Sequence, residues 1–401
     1  MRQWPYKAIG EVCDVNPKQN GAERLAPNTT VSFVPMSAVD ETFGEIIGTE
    51  TRRLEDIGSG YTPFCENDVL FAKITPCMEN GKTAIARHLE NGIGYGSTEF
   101  HVLRSKKYVM PEWVFAFVRQ PAFREQAKAS FTGTAGQQRV PADFLKQTLL
   151  PVPPMQEQER IVRILDEADQ LRRLRAEADR HTDGLIPAMF YEMFSGAIAN
   201  RLSYPRHNLE EVCISPSGIK AGPFGSSLKK ESYTTQGPRV YGQEQIIAGD
   251  FSIGDYHISK EKFDEMRAYS VSPGDVLISL VGTFGKVAVV PEHVEPGIIN
   301  PRLIRIRVNQ RMILPMFLKH FLELNETQTQ LQSLARGQTM GVLNATLLRE
   351  LTVPVPSLEQ QNAFAARVAE IRGIGAEQTA SRRRLDDLFQ SLLHRAFQGE
   401  L

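Results

Sequence analysis

The stretch ENDVLFAK (66–73) sets a carboxylate, Asp68, five positions before an amine, Lys73, at the end of an apolar run. A metal-dependent nuclease strand would use such a pair, but it also needs a carboxylate two residues before the lysine. Phe71 stands there, and in the related run GDVLISLV (274–281) Leu280 replaces the lysine. MENGKT (78–83) ends like a phosphate-binding loop, whose first glycine belongs five positions before Gly81, yet position 76 is proline. GTFGKV (282–287) fails as well, because Val287 occupies the place of the hydroxyl that holds magnesium. No glycine-rich turn follows a first strand as a methyl-donor fold requires. The methyltransferase signature Asn/Asp-Pro-Pro-aromatic is missing too. Eight histidines and four cysteines (Cys13, Cys65, Cys77, Cys213) show no metal-ligand spacing. The residues therefore point to no catalytic site, no metal and no cofactor.

The totals set bounds on the rest. A chain of 401 residues exceeds one ordinary core, so two or more domains are expected. An apolar fraction of 41% and a charged fraction of 23% suit a globular protein. The net charge of −1 gives no overall basic excess, although a local basic face can hide in a neutral total. The cysteine pattern predicts free thiols in a reducing cytoplasm. The opening MRQWPYKAIG lacks the apolar core of a signal peptide, and no run approaches the ~20 apolar residues of a membrane span.

A long repeat organises the chain. PVPPMQEQ (151–158) returns as PVPSLEQQ (354–361), 203 positions downstream. Glu11–Val12–Cys13 returns as Glu211–Val212–Cys213, marking an early packed element. NDVL (67–70) returns as GDVL (274–277), Gly81–Lys82 as Gly285–Lys286, and MPEWVFAFV (110–118) as LPMFLKHFL (314–322). LIPAMFYEMFSG (185–196) aligns with LFQSLLHRAFQG (388–399). Two copies make a duplicated module rather than a solenoid.

Each half reads as a globular segment, a proline-rich joint and a long helix. DVLFAKI and DVLISLV suit buried strands, while FHVLR (100–104) and RLIRIRV (302–308) alternate like half-exposed ones. PEWVFAFV and PMFLKHFL begin with proline in the first helical turn. The prolines of the joints stop one element and set up the next. Beyond each joint, apolar residues recur at spacings near 3 and 4: Ile161, Ile164, Ala168, Leu171, Leu185 and Met189, then Phe364, Val368, Ile371, Leu385, Leu388 and Leu392. Such a stripe needs a partner helix, and the nearest is the other one in the same chain. Gly184, Pro187, Gly373 and Gly375 predict a kink or break. The expected architecture is α+β: two mixed α/β domains (1–153 and 199–356) separated by two long antiparallel helices (154–198 and 357–401), coiled-coil-like, related by a pseudo-two-fold duplication.

These joints resemble those of the specificity subunits of type I restriction–modification systems. The resemblance extends to AFQGEL (396–401), GPFGSSLKK (222–230), GDVLISLVGTFGKVAVV (274–290) and GTAGQQRVPADFL (133–145). It implies that each globular segment is a target-recognition domain reading half of a split double-stranded DNA site. It also implies that the helices set the gap and dock two methyltransferase subunits, with endonuclease/translocase subunits joining them. The chain itself would be non-catalytic. An enzyme with two diverged domains and an unrecognised site is the alternative, and a scaffold holding proteins alone is a third reading.

For DNA contact, polar residues in glycine-rich loops are the candidates. In the first half these are Lys73, Thr75, Lys82, Ser97, Thr98, Thr134, Gln137, Gln138 and Arg139. In the second they are Lys220, Ser226, Ser227, Lys229, Tyr241, Thr283, Lys286, Asn300, Arg302, Arg336, Gln338 and Thr339. Taken singly, each is more readily a turn former or a solvated loop residue, and the loops Gln137–Gln138–Arg139 and Arg336–Gly337–Gln338–Thr339 are the stronger candidates. Lys82 and Lys286 are shared by both halves, so turn structure or phosphate contact fits them better than base reading. Arg172, Arg173, Arg175 and Arg382–Arg384 could form a solvated face, follow the DNA backbone or dock a partner.

Overall fold

The computed structural model describes residues 4–18, 21–134, 136–198, 204–214, 217–223, 227–280, 285–336 and 345–401, with backbone only at 183, 195–198 and 334–336. Two compact units divide the chain in mid-helix: Met1–Asp179 with Glu377–Leu401, and Arg180–Ala376.

In the first unit the buried run Val69–Ala72 lies inside an antiparallel sheet ordered Cys13–Val15, Phe100–Ser105, Val69–Ala72, Thr83–Ile85. A second sheet runs Glu50–Arg53, Thr30–Val34, Ile93–Gly96, Thr62–Cys65, and its middle pair is parallel. The second unit has an antiparallel sheet ordered Ile219–Ala221, Leu303–Ile306, Val276–Ser279, Val287–Val289. Its other sheet, His257–Ile258, Tyr233–Tyr241, Gly297–Ile299, again contains one parallel pair. Each unit is therefore a mixed α/β head carrying helical segments, and the chain is α+β.

The repeated aspartates serve as buried anchors. Cys65 N–H donates to Asp68 Oδ2 at 2.7 Å, and Arg104 grips the same carboxylate through Nε (2.9 Å) and Nη2 (2.7 Å). In the second unit Ser272 N–H donates to Asp275 Oδ2 at 2.8 Å, and Arg307 donates through Nε (2.7 Å) and Nη2 (2.8 Å). Both carboxylates are almost fully buried, where an unpaired charge would be costly. This pairing accounts for the aspartate in NDVL and GDVL. Val12, Cys13, Val212 and Cys213 are likewise core residues, and burial pushes both thiols up to about 12.

The joints are built alike. Leu149–Pro151 pairs antiparallel with Tyr6–Ala8, and Thr352–Pro354 with Arg206–Asn208. Just beyond, Gln158 is fully buried. Its Oε1 accepts from Met110 N–H (2.9 Å), and its Nε2 donates to the carbonyls of Tyr108 (2.9 Å) and Pro153 (2.8 Å). Gln361 repeats the pattern: Oε1 accepts from Leu314 N–H (2.7 Å), and Nε2 donates to Met312 (3.1 Å) and Pro356 (2.8 Å). Met110 and Leu314 are the N-cap residues of the helices Pro111–Val118 and Pro315–Glu323. One glutamine thus ties the first turn of the long helix to the head and satisfies an orphan N–H at another helix start.

The long helices are Met155–Ile198 and Leu358–Gln398. The expected breaks do not occur: Gly184 and Pro187 lie inside the first helix, Gly373 and Gly375 inside the second. A proline inside a helix costs about 3 kcal/mol. Phe190 and Phe194 follow Pro187 and are fully buried against Phe317 and Phe364, at centroid distances of 5.0–5.7 Å, which holds the chain in register past it. In the first unit the two helical segments run in opposite directions. Arg160 Nη2 donates to the Leu401 carbonyl (2.7 Å), Arg172 Nε to Asp386 (2.7 Å), and Arg382 Nη1 to Asp179 (2.8 Å).

The apolar seam corrects the expected one. Ile161, Ala168, Phe364 and Val368 are buried as expected, and Ile164, Met189, Ile371, Leu385 and Leu392 are partly buried. Leu171, Leu185 and Leu388 are instead 51%, 49% and 47% exposed. Ala396 is buried on the expected line, but Phe389, Leu393 and Phe397 in the first unit, and Phe190 and Phe194 in the second, shift the buried stripe one position C-terminal to it. One residue turns a helix by ~100°, so two neighbouring apolar stripes present different faces. The aromatic anchors of the heads, Trp113 and Phe117 against Phe397 and Phe317 against Phe194, select between them.

Candidate nucleic-acid interface

The first unit gathers its polar candidates at one place. Lys73 follows the strand Val69–Ala72, and its N–H donates to the Glu99 carbonyl while its own carbonyl accepts from Val140. Thr75 N–H donates to Gln138 O, and Ile74 and Thr132 both bridge to Arg139. These bonds bring the loop 132–139 alongside Lys73 and the turn at Ser97–Glu99. Thr98, Thr134 and Gln137 are exposed there, and Gln138 is half-buried. Arg139 forms a two-pronged pair with Glu99, Nε–Oε2 and Nη2–Oε1 both at 2.9 Å, and that guanidinium holds the Glu99 carboxyl below its usual range. The pair was missed in the sequence, although Glu99 directly follows two candidates. Ser97 Oγ accepts from Glu99 N–H and shapes the turn.

Two candidates prove to be internal. Lys82 Nζ donates to the carbonyls of Val39 (2.8 Å) and Met36 (3.3 Å), so its amine closes a turn inside the first head. Tyr241 is fully buried, and its hydroxyl donates to the Glu295 carbonyl (2.8 Å); burial pushes it up to about 12. Burial takes this side chain out of reach of DNA.

In the second unit Lys220 lies on the strand Ile219–Ala221 with its ammonium 5.1 Å from the Tyr269 ring centroid. The same strand leads to Gly222, whose N–H donates to Leu303 O beside the turn Asn300–Arg302. That turn is fixed by Asn300 Oδ1 accepting from Arg302 N–H at 2.8 Å. Arg302, Ser227, Lys229 and Lys286 are exposed. Ser226, Thr283, Gln338 and Thr339 lie outside the described residues, and Arg336 ends the helix Asn325–Arg336 with its side chain undescribed. Four of the spacer arginines, Arg172, Arg173, Arg175 and Arg382, are partnered within the first unit, while Arg383 and Arg384 are exposed. Arg172 bonds Asp169 as well as Asp386, Arg173 reaches Asp169, and Arg175 bonds Asp179 at 3.0 Å.

Each head buries one histidine, and burial favours its neutral form. His101 Nε2 lies 2.8 Å from the Val140 carbonyl and Nδ1 2.9 Å from Asn16 Nδ2, and burial lowers its pKa. His320 packs against Phe190 and Phe364 with Nδ1 3.2 Å from Glu323, and burial again lowers it. The unfolded chain binds more protons at these sites, so stability rises with pH across the histidine range. Stability should therefore be full above the ordinary value near 6.5 and fall as acid moves below it toward the native values. Urea midpoints measured from pH 8 to pH 5 check this. His101→Gln and His320→Gln should each flatten the slope.

The family model for the type I restriction modification DNA specificity domain matches residues 1–178 and 220–371, and the chain belongs to that family. It is 36% identical over 165 residues to the type I restriction enzyme EcoAI specificity subunit of Escherichia coli, and 34% identical over 160 residues to the EcoEI subunit. Those alignments take in 40% of this chain and 27% and 26% of the two relatives. A solved chain from work on assembly and conformational transition of the type I R-M system shares the fold. It superposes with a TM-score of 0.64 at 24% identity, over 99% of this chain and 98% of that one.

Proposed function

We propose that this chain is the DNA-specificity subunit of a type I restriction–modification complex. Each head reads one half of a bipartite double-stranded site. The long helices set the unread gap and dock two methyltransferase subunits about a pseudo-two-fold axis, and endonuclease/translocase subunits complete the assembly. The observation that carries the reading is the family match made twice, on residues 1–178 and again on 220–371. The duplicated glutamine clamps and the reciprocal use of both helices by both units fit it. Two readers on one spacer can face the same groove only near multiples of a helical turn, ~34 Å. Chemistry belongs to the partners, no cofactor is needed by this chain, and the site of action is the cytoplasm. Among the described residues no helix is long and apolar enough to cross a membrane.

The test is to map methylated sites in cells that carry this chain with its partner subunits. Split sites with a fixed gap are expected. Continuous sites would overturn the two-reader model. Methyl transfer by the purified chain alone would favour the alternative of an enzyme with its own active site.

A further inference from the structure

A cleft of about 520 Å³ opens in the first unit beside the polar loops. Its lining includes Tyr61, Tyr95 and Phe100 together with two lysines, Lys18 and Lys73. Among the described residues no acidic side chain lines it. Lys73 is half-buried, and among the described residues its ammonium makes no hydrogen bond or ion pair. The nearby Glu99 carboxylate, which Lys73 also feels electrostatically, gives both its oxygens to Arg139. Lys73 and Arg139 together carry two positive charges against the single carboxylate of Glu99, and with Lys18 they leave a net positive charge beside the cleft that suits an anion. Asn16, also in the wall, is fixed by His101 and by Val102 N–H, which donates to Asn16 Oδ1 at 2.9 Å. Tyr61 is held by an edge-on contact with Phe33, centroids 4.8 Å apart. The cleft is thus preformed, cationic and aromatic-walled. In the second half Leu280 stands where the first has Lys73, and it is buried.

We propose that this cleft seats one phosphodiester of the DNA between half-buried Lys73 and exposed Lys18, and that it acts on the first half-site alone. The inference rests on the DNA-reading function above. It assigns Lys18, Asn16, Tyr61 and Tyr95 to the interface, none of which the loop pattern had suggested. Its role is to set the register of the first head on the duplex, since a phosphate contact positions without encoding a base.

The test uses the full chain and a duplex carrying a site mapped by methylation in cells. Lys18→Ala and Lys73→Met should each weaken binding about tenfold near physiological salt and reduce the salt slope by about one. Lys18 is exposed, so its truncation keeps the fold. The duplex is then scanned with single neutral methylphosphonates. One position in one half-site should weaken the unmodified protein and have no further effect on Lys73→Met. If the chain binds no duplex at all, the DNA-reading function fails. If it binds, but both variants keep the full salt slope or no methylphosphonate loses its effect in Lys73→Met, the cleft assignment alone is overturned.

Discussion

Truncating Phe397 to alanine should destabilise the first unit by about 3–5 kcal/mol, the cost of emptying a buried phenyl site. The ring is almost fully buried, 4.4 Å from Trp113 and 5.4 Å from Phe117 between centroids. It belongs to the second long helix, so its loss undocks the end of that helix from the first head. For a unit of this size the expected drop in Tm is roughly 10 °C. The chain's two tryptophans, Trp4 and Trp113, pack against each other in the first unit, so their fluorescence reports that unit's unfolding. Leu388→Ala is the matched control. That side chain is exposed and should change stability by no more than about 0.5 kcal/mol. Equal costs at the two positions would restore the seam that residue spacing first suggested.

Replacing Gln158 with leucine should cost about 3–5 kcal/mol. The change keeps side-chain bulk but orphans Met110 N–H and strips a donor from the carbonyls of Tyr108 and Pro153, all around a fully buried site. Each buried group left unpaired costs about 1–3 kcal/mol. Met110 caps the helix that carries Trp113, so tryptophan fluorescence should again report the loss. Gln361→Leu removes the corresponding bonds in the second unit and should leave the tryptophan transition far less changed. A cost below about 1 kcal/mol for Gln158→Leu would mean that the clamp does not hold head and helix together.

Much of this was legible in the sequence, and the exceptions have physical causes. Repetition exposed the joints, the paired aspartates and the head helices, because duplicated residues stand out without any knowledge of their contacts. The work of Gln158 was not legible, since two of its three partners, Met110 and Tyr108, lie some 50 residues upstream and only folding brings them to it. Nor was the seam register. Leu388 and Phe389 are both apolar neighbours on a helix, and only the aromatic floor of the head decides which one turns inward. Polarity alone misled at Tyr241, whereas the turn role offered for Lys82 is the one its carbonyl partners support. A lysine can close a turn through carbonyls, and a tyrosine can bury its ring if its hydroxyl finds an acceptor. Lys18 and Asn16 were missed because a cleft is a property of the fold, and their stretch of chain carries no repeat.

The most direct test of the two-reader account is to replace residues 1–150 by the corresponding head of another family member and to map methylated sites in cells supplying the partner subunits. One half of the bipartite site should change while the other half and the gap stay the same. A change in both halves, or a site that is no longer split, would contradict the account.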